Sequence, residues 1–355
     1  THGKTTTTSL TASVLREGGM DPTFVIGGQL LSAGANAQLG TGQWLVAEAD
    51  ESDGSFLRLN PLIAVVTNIE ADHLENYGGD FNRVKQAFSE FIHRLPFYGL
   101  AVLCIEDEQV RELLNDMPRH CITYGFVAEA DVRASEIKQV AGQMHFTMHL
   151  PDGKTQEITL NLPGHHNVLN ALAAASIAWQ LGVTREHIAS ALQKFEGIGR
   201  RFNIKGELAL RKGKALLVDD YGHHPSELAA VFAAARGGWP NKRLVVAFQP
   251  HRYSRTRDLF DEFTAVLSTV DAVVLTDVYA AGEAPIIGAD AKSLARSIRA
   301  RGRLNPVVVG AAQELRKVLA DVLMDGDLLL VMGAGDIGAV CNDLAKQGLI
   351  LEQVS

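Results

Sequence analysis

Short unbroken apolar runs alternate with longer segments whose apolar residues recur every three or four positions. The runs at 24–26, 44–47, 62–67 and 101–105 are β-rich and too short for helices, and they predict buried strands. Between them, Phe81, Val84, Phe88, Ile92 and Leu95 form one apolar stripe, which predicts a helix over 81–95. Strand and helix alternating in this way predict a mostly parallel α/β sheet.

The pattern changes over 132–162. Met144, Phe146, Met148 and Leu150 alternate with polar residues, Pro151-Asp152-Gly153 turns, and Ile158, Leu160 and Leu162 alternate again. That predicts a β-hairpin with one solvated face. Helical patterns follow over 167–181 and 185–195. A second α/β unit then begins, with strands expected at 215–218, 244–248, 272–276, 306–309 and 328–332 and helices in the gaps. Gly197-Ile198-Gly199 loosens the chain at the join, so two domains are expected, 1–198 and 199–355.

Composition narrows the class. The 355 residues suit two domains, and 46% apolar with 21% charged residues suits a soluble globular protein that needs no disulfides. A net charge of −8 argues against a general nucleic-acid binder. Cys104, Cys121 and Cys341 are odd in number and far apart, so reduced thiols and a cytoplasmic protein are expected. No apolar run approaches the roughly 20 residues that a membrane helix needs.

Candidate chemistry starts at the first residue. Gly3-Lys4-Thr5 leads into a helical pattern and reads as the second half of a phosphate-binding loop. Gly3 would let backbone N–H groups approach the phosphates, Lys4 would place a charge on them, and Thr5 would hold magnesium. The helix N-terminus adds a favourable dipole. A strand and at least one glycine are expected ahead of such a loop, so an N-terminal portion is expected before Thr1. Two acidic clusters close later strands, Glu48-Ala49-Asp50-Glu51 and Glu70-Ala71-Asp72-His73. Ligands bind at strand C-terminal ends in open α/β sheets, and carboxylates there suit a hydrated magnesium ion, although a solvated acidic loop is the commoner fate of such runs.

Three further segments carry polar groups at element ends. Asn167 and Asn170 open a long helix and could address a purine edge, or Asn167 could simply cap the helix. Asp219-Asp220-Tyr221-Gly222-His223-His224 follows a strand. Arg252, Arg255 and Arg257 follow another, and guanidinium groups suit carboxylate or phosphate recognition, or form a basic surface turn.

Together these segments resemble the Mur ligase family over essentially the whole chain. The resemblance implies a P-loop NTPase-like central domain with a small antiparallel β insertion, and a Rossmann-like C-terminal domain. It assigns Thr1, His2, Gly3, Lys4, Thr5 and Thr6 to the ATP phosphates, and Glu48 and His73, with Thr5, to Mg2+. Glu51 stands in reserve as a metal ligand. Asn167 and Asn170 would lie beside adenine, Asp220 near the ribose, and Arg201 would reach the phosphates. Tyr221 and His223 would face an incoming amino acid whose carboxylate Arg252 and Arg255 hold. Lys4, His73, Arg201 and His223 are the implied catalytic residues. Related ligases carry a carbamylated lysine where Phe88 falls here, with Lys85 nearby, and none is expected.

The last two segments are similar to the alanine-adding branch. They imply ATP-dependent ligation of L-alanine to UDP-N-acetylmuramate through an acyl phosphate, with domain closure assembling the site. The implied partners are small molecules, with no nucleic acid or membrane, and the oligomeric state is open. Another amide ligase, such as murein tripeptide ligase or folylpolyglutamate synthase, remains an alternative, as does a non-ligase ATP-binding protein. The family's UDP-binding N-terminal domain has no counterpart in these residues, so little activity is expected from them alone. Gly333-Ala334-Gly335-Asp336-Ile337-Gly338 also satisfies a dinucleotide fingerprint, with Glu352 at about the spacing of a ribose acid. Too few residues follow for such a domain, and the glycines are expected to serve a tight turn instead.

Overall fold

A computed structural model describes residues 1–117 and 120–349. The chain forms two compact units, Thr1–Gly199 and Arg200–Ser355. Among the described residues no helix is long and apolar enough to cross a membrane.

The first unit runs α1 (Lys4–Glu17), β1 (Thr23–Leu30), β2 (Ala35–Gln38), β3 (Leu45–Ala47), β4 (Ile63–Val66), α2 (Phe81–His93), β5 (Leu100–Cys104), α3 (Glu108–Leu113), β6 (His120–Gly125), β7 (Val132–Val140), β8 (Gln143–His149), β9 (Thr155–Leu160), α4 (His165–Gln180) and α5 (Arg185–Lys194). Strands β4 to β9 form one sheet in sequence order. β4 to β7 pair in parallel, and β8 and β9 continue as an antiparallel meander. The hairpin is therefore an extension of the main sheet. Its register sets Met144 opposite Leu160 and Phe146 opposite Ile158, so the alternating apolar positions share the buried face.

A second, three-stranded sheet has the order β2-β1-β3. Here the expectation of strands buried on both faces fails. Phe24, Ile26 and Leu30 enter the core, but Val25 is 51% and Leu45 63% exposed. The small sheet covers only one of its faces, so alternate side chains reach solvent. β3 and β4 belong to different sheets. A cavity of 450 Å³ opens beside them, walled by Leu45, Val46, Ile63 and Val65 with Thr8 and Thr11 of α1.

α1 is polar in sequence yet buried on most sides. Its hydroxyls solve the problem by bonding back one turn: Thr8 donates to the Lys4 carbonyl at 2.9 Å, Ser9 to Thr5 at 2.7 Å and Thr11 to Thr7 at 2.8 Å. α1 packs on α4, and Thr7 joins the two helices by donating to Asn170 Oδ1 at 3.1 Å. Phe88 lies in a separate cluster of this unit, its ring centroid 5.4 Å from that of Phe56. Lys85 donates to Glu112 at 2.9 Å.

The second unit runs β10 (Asn203–Ala209), β11 (Lys214–Asp220), α6 (Pro225–Gly238), β12 (Leu244–Phe248), α7 (Tyr253–Asp258), α8 (Phe260–Leu267), β13 (Ala272–Leu275), α9 (Ala291–Ala300), β14 (Val307–Val308), α10 (Leu315–Val322), β15 (Leu328–Met332) and α11 (Ile337–Gln347). Its sheet order is β10-β11-β15-β12-β13-β14, parallel except for β10. The central strands are covered on both faces. Val246, Phe248, Leu330 and Met332 enter one core, while Val245, Ala247, Leu329 and Val331 enter the other. This accounts for their unbroken apolar runs. β10 escaped the sequence reading because it is an antiparallel edge strand rich in polar residues.

Candidate active site

In the first unit, Thr1-His2-Gly3 turns into the N-terminus of α1. Gly3 adopts φ 83°, the left-handed region that glycine occupies at little cost. A side chain here would also collide with Asn170, whose Oδ1 lies 2.5 Å from the position a Cβ would take. The segment after β4 clamps the loop. Thr67 Oγ1 and Asn68 Nδ2 both donate to the His2 carbonyl, at 2.7 and 2.9 Å, and the His2 amide donates to Asn68 Oδ1 at 2.7 Å. The Glu70 amide donates to Thr1 Oγ1 at 3.0 Å. Thr67 and Asn68 thus fix the loop's backbone, a role that nothing in the local sequence pattern signals.

Charge gathers at the start of α1. Lys4 Nζ donates to the Thr1 carbonyl at 2.9 Å and to Glu51 Oε2 at 2.7 Å, with Asp50 at 3.6 Å. Burial alone would lower the pKa of this ammonium, but Glu51, Asp50 and Glu48 outweigh it and hold the value above its usual range. Thr5 Oγ1 donates to Glu48 Oε1 at 3.0 Å, and the Gly27 amide donates to Glu48 Oε2 at 2.7 Å. Thr6, next along α1, is buried. The Thr5 hydroxyl and the Glu48 carboxylate meet at 3.0 Å, and both offer the oxygen that magnesium prefers. Glu51, which holds Lys4, has its second oxygen, Oε1, buried with no hydrogen-bond partner. These oxygens fit a hard cation.

His73 sits at φ 56° at the start of a turn over Leu74–Tyr77. Its ring lies 3.5 Å from Asp72 Oδ2 and 3.9 Å from Glu75 Oε1. The Asp50 carboxyl stays below its usual range: burial opposes that lowering, and hydrogen bonds from Ser52 with the nearby Lys4 outweigh it.

Asn167 and Asn170 are buried and engaged with protein groups. α4 starts at His165 with Gly164 as its cap, so Asn167 does not cap it. Asn167 Nδ2 donates to the Pro163 carbonyl at 2.7 Å, and Asn170 Nδ2 donates to Asn167 Oδ1 at 3.1 Å. Asn170 Oδ1 accepts from Thr7 at 3.1 Å, tying α4 to α1 beneath Gly3.

In the second unit, the candidate groups lie ahead of β10 and in the loops after β11, β12, β13 and β15. Asp220 is buried, and its two oxygens accept from the Phe202 and Gly222 amides, each at 2.7 Å. Burial raises this carboxyl to about 6, although Arg201 and the two amides oppose the rise. The guanidinium groups of Arg200 and Arg201 lie 5.0 and 5.2 Å from the Tyr221 ring centre. Arg200 also pairs with Asp219 at 3.4 Å and donates to the Gly333 carbonyl. Arg201 lies 3.9 Å from Glu227.

Tyr221 starts a chain of rings. Tyr221 meets His223 edge-on at 5.3 Å, His223 lies 5.7 Å from His251, and His251 stacks on Tyr279 at 5.4 Å. Burial pushes the His223 imidazole down to about 4, with Arg255 and Arg201 adding to the effect and Glu227 opposing it. His251 also falls to about 4, through burial first and then His223, Arg255 and Arg252. Both rings are neutral near pH 7. Glu227 accepts from the His223 and His224 amides at 2.8 and 3.1 Å, completing a capping box at the start of α6.

Arg252 and Arg255 stand at the start of α7, and Arg252 takes φ 69°. Its amide donates to the Tyr279 carbonyl at 2.9 Å, which holds the strained residue in place. Arg255 is buried, whereas Arg257 turns to Asp258 at 2.7 Å on the surface. The sequence reading missed Arg200, His251 and Tyr279. His251 stood next to Arg252 as a signal, while Tyr279 enters from a later loop that carries no motif.

The glycines of 333–338 have packing reasons. A Cβ on Gly335 would lie 2.6 Å from the Tyr279 ring, and one on Gly338 would lie 2.4 Å from the Arg200 guanidinium. Glu352, the suggested ribose acid, lies outside the described residues.

Residues 1–178 match the family described as Mur ligase middle domain, and residues 200–335 match Mur ligase, glutamate ligase domain. A UDP-N-acetylmuramate–L-alanine ligase of Stenotrophomonas maltophilia (strain K279a) is 69% identical over 349 residues, 98% of this chain and 73% of the relative. Its namesake in Xylella fastidiosa (strain M12) is 67% identical over 355 residues, 100% of this chain and 74% of the relative. Among solved structures, a UDP-N-acetylmuramate-alanine ligase from Thermotoga maritima superposes with a TM-score of 0.80 at 30% identity, covering 98% of this chain and 73% of that one. A MurF ligase from the same organism, in complex with ADP, shares the fold with a TM-score of 0.74 at 19% identity, covering 98% of this chain and 78% of that one.

Proposed function

This chain belongs to the Mur ligase family, and from that premise we propose that its reaction is the ATP-dependent joining of L-alanine to UDP-N-acetylmuramate. The product is a precursor of peptidoglycan, made in the cytoplasm. The observation that carries the reading is the phosphate loop, where a clamped glycine turn presents Lys4, Thr5 and the α1 N-terminus beside Glu48.

In the reaction, a muramate carboxylate oxygen attacks the γ-phosphorus of ATP, and ADP leaves. The alanine amine then attacks the acyl carbon of the resulting acyl phosphate, an amide forms, and phosphate leaves. Such chemistry needs positioning and charge neutralisation more than a protein nucleophile. Lys4 and the α1 N-terminus would bear phosphate charge. Thr5 and Glu48, with His73, would hold Mg2+, which would supply charge neutralisation at the transferring phosphoryl group. Asn167 and Asn170 would border the adenine. Asn167 also bonds Asn170, which accepts from Thr7 of α1, so their substitution would disturb both roles.

In the second unit, Arg252 and Arg255 would bind the alanine carboxylate, which fixes the direction of its amine. The neutral His223 beside Tyr221 would face the amino acid and would add no positive charge next to its ammonium. Arg201 would add charge toward the phosphates, and Asp220 would approach the ribose. Phosphate release in the presence of ATP and UDP-N-acetylmuramate tests the reading. It should depend on L-alanine and fail with L-alanyl-γ-D-glutamyl-diaminopimelate in its place; equal rates with the tripeptide would overturn it.

A further inference from the structure

We propose that Glu51 is the resident counter-ion of the phosphate loop, holding Lys4 while nucleotide is absent and passing to the metal when a triphosphate takes Lys4. The inference rests on the phosphate-loop reading above but not on the identity of the amino acid.

The Lys4 ammonium bonds Glu51 Oε2 at 2.7 Å and the Thr1 carbonyl at 2.9 Å, and Asp50 lies at 3.6 Å. A phosphate oxygen drawn to this ammonium competes with Glu51 for its charge. Asp50 is already more distant, and its side chain is more than half exposed. Glu51 is different, being only 3% exposed, with its second oxygen buried and unpartnered. The Tyr77 hydroxyl pins its backbone by donating to the Glu51 carbonyl at 2.6 Å.

Two consequences follow from burial. A buried carboxylate that has one strong partner and one bare oxygen depends on that partner for its charge compensation. If Lys4 turned to a triphosphate, Glu51 would be left uncompensated and close to further negative charge. A divalent cation arriving with the nucleotide removes this penalty, because it offers the carboxylate, including the bare oxygen, a new partner. Glu51 therefore opposes metal-free nucleotide and tolerates the magnesium complex. It acts as a selectivity device through Lys4, as a positioning residue that need not touch the reacting atoms.

The test is nucleotide binding by calorimetry, with no turnover required. Wild-type protein should bind ATP with magnesium much more tightly than ATP with EDTA. Glu51→Gln, which can still accept from Lys4 and keeps the side chain's shape, should shrink that ratio about tenfold, mostly by tightening the metal-free complex. Glu51→Asp should keep the ratio within about threefold of wild type, and Asp50→Asn should change it less than about twofold. A merely structural role would weaken both complexes equally and leave the ratio alone. An unchanged ratio in Glu51→Gln, or a shift of equal size in Asp50→Asn, overturns the proposal. If Glu51→Gln folds poorly, Glu51→Ser serves the same comparison. No ATP binding by the wild-type protein in either medium would instead count against the phosphate-loop reading.

Discussion

Single residues carry their roles through bonds to distant parts of the chain. Gly3 combines a positive φ with the nearby Asn170 amide, so it faces two constraints at once. Gly3→Ala should cost about 1–2 kcal/mol from the left-handed backbone alone, with more from the collision. Urea unfolding should show that loss, and calorimetry should show ATP binding weakened at least tenfold. His223 and His251 make a prediction about pH. Both have folded values near 4, against an ordinary histidine value near 6.5. Below about pH 6.5 the unfolded chain takes up protons that the folded rings refuse, so the stability they contribute is whole above that pH and is lost down to about 4. Asp220, raised to about 6, works in the opposite direction, as do the raised carboxyls of Asp107, Asp219 and Asp327. The histidine contribution is therefore read as a difference between variants. His251→Gln should lose less stability to urea than the wild type as the pH falls from 6.5 to 4; parallel curves would refute the assignment.

At the scale of elements, capping organises the second unit's site. Glu227 accepts from the amides of His223 and His224, so the start of α6 and the position of the His223 ring share one carboxylate. Glu227→Ala should cost about 2 kcal/mol, since two buried amides lose a charged acceptor. If the proposed function holds, KM for L-alanine should rise severalfold while KM for ATP stays within twofold. Equal rises would mean that the loop does not serve the amino acid. The elements also show what periodicity could reveal. The central strands β12 and β15 were legible because burial on both faces gives an unbroken apolar run. β10 and β2 were not, because edge strands carry polar residues and have no such run. β1 and β3 were recognised as strands but misjudged as buried, because a short apolar run does not say how many of its faces are covered.

For the whole molecule, the cores fall cleanly into two sets. The clusters around Phe248 and around Leu329 draw only on residues from 202 onward, so the second unit has its own complete core. A fragment of residues 200–355 should therefore fold and unfold cooperatively on its own, which circular dichroism with urea would check. Within it, Phe263→Ala, at a fully buried site against Phe248, should cost about 3–5 kcal/mol. A fragment with no cooperative transition would mean that the second unit depends on residues before 200.

The sequence by itself determined the class of both units, the Gly3-Lys4-Thr5 turn into α1, and the polar clusters at the ends of β4, β11 and β12. Those features are local, written in the spacing of apolar residues and in short runs of glycine, lysine, acid and arginine. Only the tertiary structure decided which group holds which. Lys4 meets Glu51 47 positions away, Thr7 meets Asn170 across 163, and Arg200 meets Gly333 across 133. No periodicity encodes such pairs, because a hydrogen bond depends on two atoms arriving within about 3 Å. Only packing of the intervening elements sets that distance.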